Sequence, residues 1–180
     1  MKKLLTFMIL VASMTSSYAA LDVGDAAPNF TAPAALGGKA FDFTLADSLA
    51  KGPVVLYFFP AAFSVGCSLE AHEFAEAIGK FQAFGATVIG VSGDDTETLS
   101  KFSVQACQSK FPVASDVSQK VMRSYDAVMS LRPEYANRIS YVIAPNGKIV
   151  YYYQSLNPVR HVDNTLAALK TWSQSAARPQ

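Results

Sequence analysis

A mixed α/β sheet with helices on both faces is the fold this sequence predicts. Three features predict it: an unbroken apolar run of strand length at residues 53–59 (PVVLYFF), a helix-period segment directly after it, and an Asn146-Gly147 turn between two apolar segments near the C-terminus. A continuous apolar run marks a strand covered on both faces, because neither face meets water.

Taken in order, residues 22–39 carry Gly24, Pro28, Pro33, Gly37 and Gly38, which predicts an irregular arm leading to a short strand over 40–45. The apolar run is the expected central strand. After a turn at Pro60, Cys67, Ala71, Phe74, Ile78 and Phe81 recur at spacings of four and three, one face of a helix over about 65–84, with Glu70, Glu73, Glu76 and Lys80 at the other positions. Gly85 supplies the stop and residues 86–91 read as a second buried strand, completing a β-α-β unit. A helix capped by Asp94-Asp95 follows over about 95–108, then a short strand near 111–114 and a helix near 118–125. Residues 139–144 and 149–153 flank Pro145-Asn146-Gly147-Lys148 as an antiparallel hairpin. Asn157-Pro158 opens a last helix with Val159, Val162, Leu166, Leu169 and Trp172 on one face, and residues 173–180 are expected to fray. Parallel units, a hairpin and a final helix make a sheet covered on both sides. Thioredoxin-like folds are built this way.

The composition agrees with one compact domain. The chain has 180 residues, 51% hydrophobic and 16% charged, which excludes a disordered, collagen-like or disulfide-dense protein. With 15 Lys and Arg against 14 Asp and Glu, no basic surplus points to nucleic acid or an anionic membrane.

Lys2 and Lys3, an apolar run from Leu4 to about Met14, and Ser16, Ser17, Tyr18 and Ala19 have the layout of a secretory signal, cut between Ala19 and Ala20. The apolar run is well short of the roughly 20 residues that span a bilayer, so no stable membrane insertion is expected after cleavage, a retained anchor being the alternative. Residues 1–19 are thus the expected leader and 20–180 the folded domain, an exported protein and a periplasmic one if the source is a Gram-negative bacterium. Without Lys2 and Lys3 the domain carries 13 basic and 14 acidic side chains, a net charge of −1.

Cys67 and Cys107 are the two cysteines. In an oxidising compartment they could form a structural bridge closing a loop of about 40 residues, worth roughly 4 kcal/mol by loop entropy. Cys67 also has a special setting. Pro60-Ala61-Ala62-Phe63-Ser64-Val65-Gly66-Cys67 runs from the C-terminal end of the central strand into a helix, the edge at which open α/β sheets collect ligands. A thiol in the first helical turn meets unpaired N–H groups and the positive end of the dipole, which favour thiolate. An ordinary thiol needs about 2.7 kcal/mol to lower its pKa by about 2 units, and a helix end supplies about 0.3–1. A cation and hydroxyl donors must add the rest. Ser64 offers a hydroxyl, as a donor to the sulfur or a bound oxygen ligand, or as an ordinary N-cap.

The pattern formed by Pro60, Ser64 and Cys67 resembles the Pro-x-x-x-Thr/Ser-x-x-Cys signature of the peroxiredoxins. Further ordered segments are similar to that family: Gly24-Asp25-Ala26-Ala27-Pro28-Asn29-Phe30 at the start, residues 54–60 before the signature, Gly90-Val91-Ser92, and Arg138-Ile139-Ser140-Tyr141-Val142-Ile143 followed by Pro145-Asn146-Gly147. The run Ser64-Val65-Gly66-Cys67-Ser68-Leu69-Glu70 resembles the peroxiredoxin Q, or bacterioferritin-comigratory, branch.

The resemblance implies a thioredoxin-like fold and a hydroperoxide substrate reduced by the Cys67 thiolate, with no metal, haem or flavin cofactor. It implies that Arg138 supplies the fixed cation, that Ser64 hydrogen-bonds the peroxide, that Pro60 shields the thiolate, and that Glu70 orients the arginine from one helical turn away. Many members of the branch carry a resolving cysteine five residues after the first, where this chain has His72. Cys107, read as lying in the next helix, is then the expected resolving partner, with a thioredoxin-like or other thiol reductant, and the family admits monomers and dimers. A single-cysteine enzyme using an external thiol is the alternative. His72 and His161 with the cysteines match no usual zinc spacing. An exported thioredoxin-fold disulfide reductase would need Cys-x-x-Cys, where this chain has Cys67-Ser68-Leu69-Glu70, and a non-catalytic domain with a structural disulfide is the remaining reading.

Overall fold

The structure, a computed structural model, describes residues 20–176. The expected leader and the last four residues lie outside that span. Seven strands form one sheet: β1 (Thr31–Leu36), β2 (Lys39–Thr44), β3 (Val54–Phe58), β4 (Thr87–Ser92), β5 (Val113–Ser115), β6 (Ile139–Ile143) and β7 (Ile149–Gln154), in the order β2-β1-β5-β4-β3-β6-β7. The helices are α1 (Leu45–Leu49), α2 (Val65–Gln82), α3 (Thr96–Gln105), α4 (Lys120–Ser124) and α5 (Val159–Ala176). This is the thioredoxin-like α/β fold that the pattern predicts. Among the described residues no helix is long and apolar enough to cross a membrane.

The apolar run at the centre explains itself in β3. Val54, Leu56 and Phe58 enter one core with Tyr125 and Tyr141, while Val55, Tyr57 and Phe59 enter the other with Phe74, Phe81 and Phe102. Alternate side chains fill opposite faces, so every position is apolar. β3 pairs parallel with β4 and antiparallel with β6, with Phe58 opposite Ile139. The residue before β6 therefore arrives beside the C-terminal end of β3. Tyr57 stacks on Phe74 at 4.6 Å, and a Cβ on its cross-strand neighbour Gly90 would lie 2.7 Å from the ring, so only glycine fits there.

Four local expectations are corrected. The arm over 22–39 contains β1, with Gly37 and Gly38 in the left-handed region turning the chain into β2. Pro33 hid this strand, but β5 pairs only with Ala34 and Ala35, so Pro33 lies outside that ladder. α3 ends at Gln105, placing Cys107 in the turn after it rather than in the helix. Gln108 and Ser109 both have positive φ and stop the helix without a glycine to announce it. Glu70, assigned by periodicity to the polar side of α2, is fully buried. Residues 173–176, expected to fray, complete α5.

Candidate active site

The loop from β3 into α2 is held at two points. Ala62 N donates to Asp94 Oδ2 at 2.7 Å, and the same oxygen accepts from Ser92 Oγ at 2.8 Å. Phe63, exposed and at a φ of 62°, turns the chain and sets its ring edge-on against Phe102 at 5.3 Å. A bulky residue at positive φ is uncommon and is tolerated where surrounding contacts impose it. Asp95, not Asp94, caps α3 by accepting from Thr98 N at 2.7 Å, leaving Asp94 free for the loop.

Pro60 is half-buried at the start of this loop, and Ser64 is the N-cap residue of α2. Its hydroxyl donates to Ala61 O at 3.0 Å and makes no side-chain bond to the helix N–H groups, so the cap and the donation to sulfur expected of it are not the bond it forms. Cys67 follows in the first turn, 1% exposed and a free thiol. Arg138, although 71 residues away, reaches it because β6 runs beside β3: Nη2 donates to Cys67 Sγ at 3.2 Å. Nη1 of the same guanidinium donates to Glu70 Oε2 as a buried ion pair.

Gly66 makes room for this contact, since a Cβ there would lie 3.1 Å from Arg138 Nη2. Burial pushes the Glu70 carboxyl up to about 8 against the downward pull of Arg138. Burial pulls the Arg138 guanidinium down, but the Glu70 and Cys67 charges outweigh it and hold it above its usual value. The arrangement keeps a cation at the sulfur that no accessible pH removes.

Cys107 lies in the same core as Cys67, fully buried, and burial pushes its thiol far up. Tyr57, whose hydroxyl has no hydrogen-bond partner, shares that core. His72 is exposed on α2 and meets Gln108 Nε2 at 2.9 Å, tying the helix to the turn that carries Cys107. Gly66, Asp94 and His161, a buried residue on α5, are site features that periodicity does not reveal. Gly66 inside the motif was the one legible hint.

A thiol in the first turn of a helix thus faces a fixed guanidinium on a thioredoxin-like sheet. The profile of the AhpC/TSA family matches residues 23–152, and the chain belongs to that family. It is 35% identical over 150 residues to peroxiredoxin Q, chloroplastic, of Oryza sativa subsp. japonica, covering 82% of this chain and 66% of the relative, just under two thirds of its length. Peroxiredoxin Q, chloroplastic, of Sedum lineare is 34% identical over 139 residues, with 72% of this chain and 74% of the relative covered. The crystal structure of peroxidoxin BcpB from Mycobacterium tuberculosis superposes with a TM-score of 0.75 at 28% identity, covering 87% of this chain and 98% of that one.

Proposed function

We propose that this chain is a thiol peroxidase in which Cys67 reduces hydrogen peroxide or an organic hydroperoxide. One contact carries this reading: the Arg138 guanidinium donating to Cys67 Sγ at 3.2 Å while Glu70 anchors its other nitrogen. The thiolate attacks one peroxide oxygen, the O–O bond breaks, and the leaving oxygen takes a proton as water or alcohol; sulfur becomes a sulfenic acid. Arg138 stabilises the charge that moves from sulfur to the leaving oxygen. Ser64, its own proton held by Ala61 O, offers a lone pair to the peroxide O–H. Pro60 closes the loop over the sulfur without adding an N–H donor.

The second step condenses the sulfenic acid with the Cys107 thiol, giving a Cys67–Cys107 disulfide and water. Both thiols are buried, so the Cys107 turn must leave the core first. A thioredoxin-like or other thiol donor then returns both cysteines to thiols. Export on residues 1–19 places that donor outside the cytoplasm, in the periplasm for a Gram-negative source. Stopped-flow reduction of hydrogen peroxide by the Cys107→Ser protein tests the first step: rapid consumption of one equivalent supports it, and a rate equal to that of Cys67→Ser contradicts it. Intact mass of the secreted protein tests the leader.

A further inference from the structure

Glu70 uses one carboxylate oxygen on Arg138; the other, Oε1, is buried with no hydrogen-bond partner and lies 3.7 Å from Nδ1 of the buried His161. His161 Nε2 is 2.9 Å from the Ser155 carbonyl, which only accepts, so Nε2 bears a hydrogen. Nδ1 is 2.9 Å from Ser140 Oγ. The Ser140 hydroxyl can donate to Nδ1 of a neutral ring, but an ionised Glu70 then conflicts with its surroundings, because Oε1 carries charge with no donor in a site closed to water. One further proton, on Nδ1 or on Oε1, removes that conflict.

We propose that His161 is a positioning residue that acts through Glu70: the two together hold one proton, so that Glu70 does not cancel the Arg138 charge beside Cys67. The groups facing the pair are Tyr57 on β3, Cys67 on α2, Arg138 and Ser140 at β6, Tyr153 on β7 with its ring 4.8 Å from the imidazole, and Ser155 after it. Arg138 is the one cation among them. Arg160, next to His161 on α5, is exposed. Burial pushes the Glu70 carboxyl up to about 8 and the His161 imidazole down to about 4, both consistent with a shared proton at neutral pH. Loss of that proton leaves Glu70 to neutralise Arg138, and the sulfur loses part of its support.

The inference rests on Cys67 as the reacting thiol, and its test reads the thiol with and without peroxide. In a Cys107→Ser background, the rates of Cys67 alkylation and of peroxide reduction are measured from pH 5 to 9.5 for the parent, His161→Gln, Glu70→Gln and both together. The rising limb of the His161→Gln profile is expected to move up by about half a pH unit or more, and to stay where Glu70→Gln puts it when both are changed. A His161→Gln profile that superimposes on the parent, or an equal shift without Glu70, overturns the inference. Alkylation answers this even if peroxide is not reduced, which separates its failure from failure of the peroxidase reading. Should His161→Gln not fold, nitrogen-15 NMR of the unaltered histidine decides: a hydrogen on Nε2 with Nδ1 shifts that titrate between pH 5 and 9.5 and are flat in Glu70→Gln supports the shared proton, and shifts that stay flat in the parent, or a ring protonated at Nδ1 alone, overturn it.

Discussion

Arg138 places its two terminal nitrogens on two residues one helical turn apart, Nη2 on Cys67 Sγ at 3.2 Å and Nη1 on Glu70 Oε2. A single guanidinium, fixed at the start of β6, thereby links the sulfur to a buried carboxylate. The consequences of breaking this link differ from side to side.

Arg138→Met removes the cation while keeping an apolar stem. Peroxide reduction by Cys67 is expected to slow by at least about tenfold, roughly 1.4 kcal/mol, with the rising limb of its pH profile moved upward. Stopped-flow kinetics across pH checks both, and unchanged rates would remove Arg138 from the chemistry.

Gly66→Ala separates activity from stability. A methyl 3.1 Å from Nη2 forces the guanidinium to give by a few tenths of an ångström, so the rate should fall several-fold. Alanine is a better helix former than glycine by about 1 kcal/mol, so the melting temperature should hold or rise. A fall in both would mean that Gly66 serves packing rather than the arginine.

Asp94→Ala removes the one carboxylate oxygen that accepts from both Ala62 N of the active-site loop and Ser92 Oγ at the end of β4. The expected loss is about 1–3 kcal/mol, with faster amide exchange at Ala62 and slower peroxide reduction. Exchange at Ala62 unaltered from the parent would show that Phe63 and Phe102 hold the loop without it.

Stability should peak between the two buried titrations. Burial depresses His161 from 6.5 to about 4, so its contribution is complete above about 6.5 and is lost as pH falls through about 4. Burial raises Glu70 from 4.5 to about 8, so its contribution is complete below about 4.5 and is lost as pH rises through about 8. Urea unfolding between pH 7 and 4 should show His161→Gln losing less stability than the parent, by on the order of 2–3 kcal/mol. Parallel curves would contradict this assignment.

The parts of the site legible in the sequence are those whose chemistry is local. The apolar run of β3, the period of α2 and the spacing of Pro60, Ser64 and Cys67 each follow from a few neighbouring residues. The role of Arg138 follows from family resemblance alone, and its distance to Cys67 depends on the β3–β6 register, which no local pattern encodes. Periodicity misplaced Glu70 because burial of a carboxylate depends on a cation 68 residues away. Cys107 reads as helical in the sequence because Gln108 and Ser109 end α3 in a conformation more often marked by glycine. His161 carried no signal at all, since its partners Ser140, Ser155 and Glu70 come from three separate segments.

Mass spectrometry of the reduced protein treated with one equivalent of hydrogen peroxide tests the central claim most directly. The expected result is trapped sulfenic acid on Cys67 in the Cys107→Ser protein, and in the wild type a loss of two hydrogens mapped to a Cys67–Cys107 disulfide. No rapid modification of Cys67 in either protein would contradict a peroxidase built on this thiol.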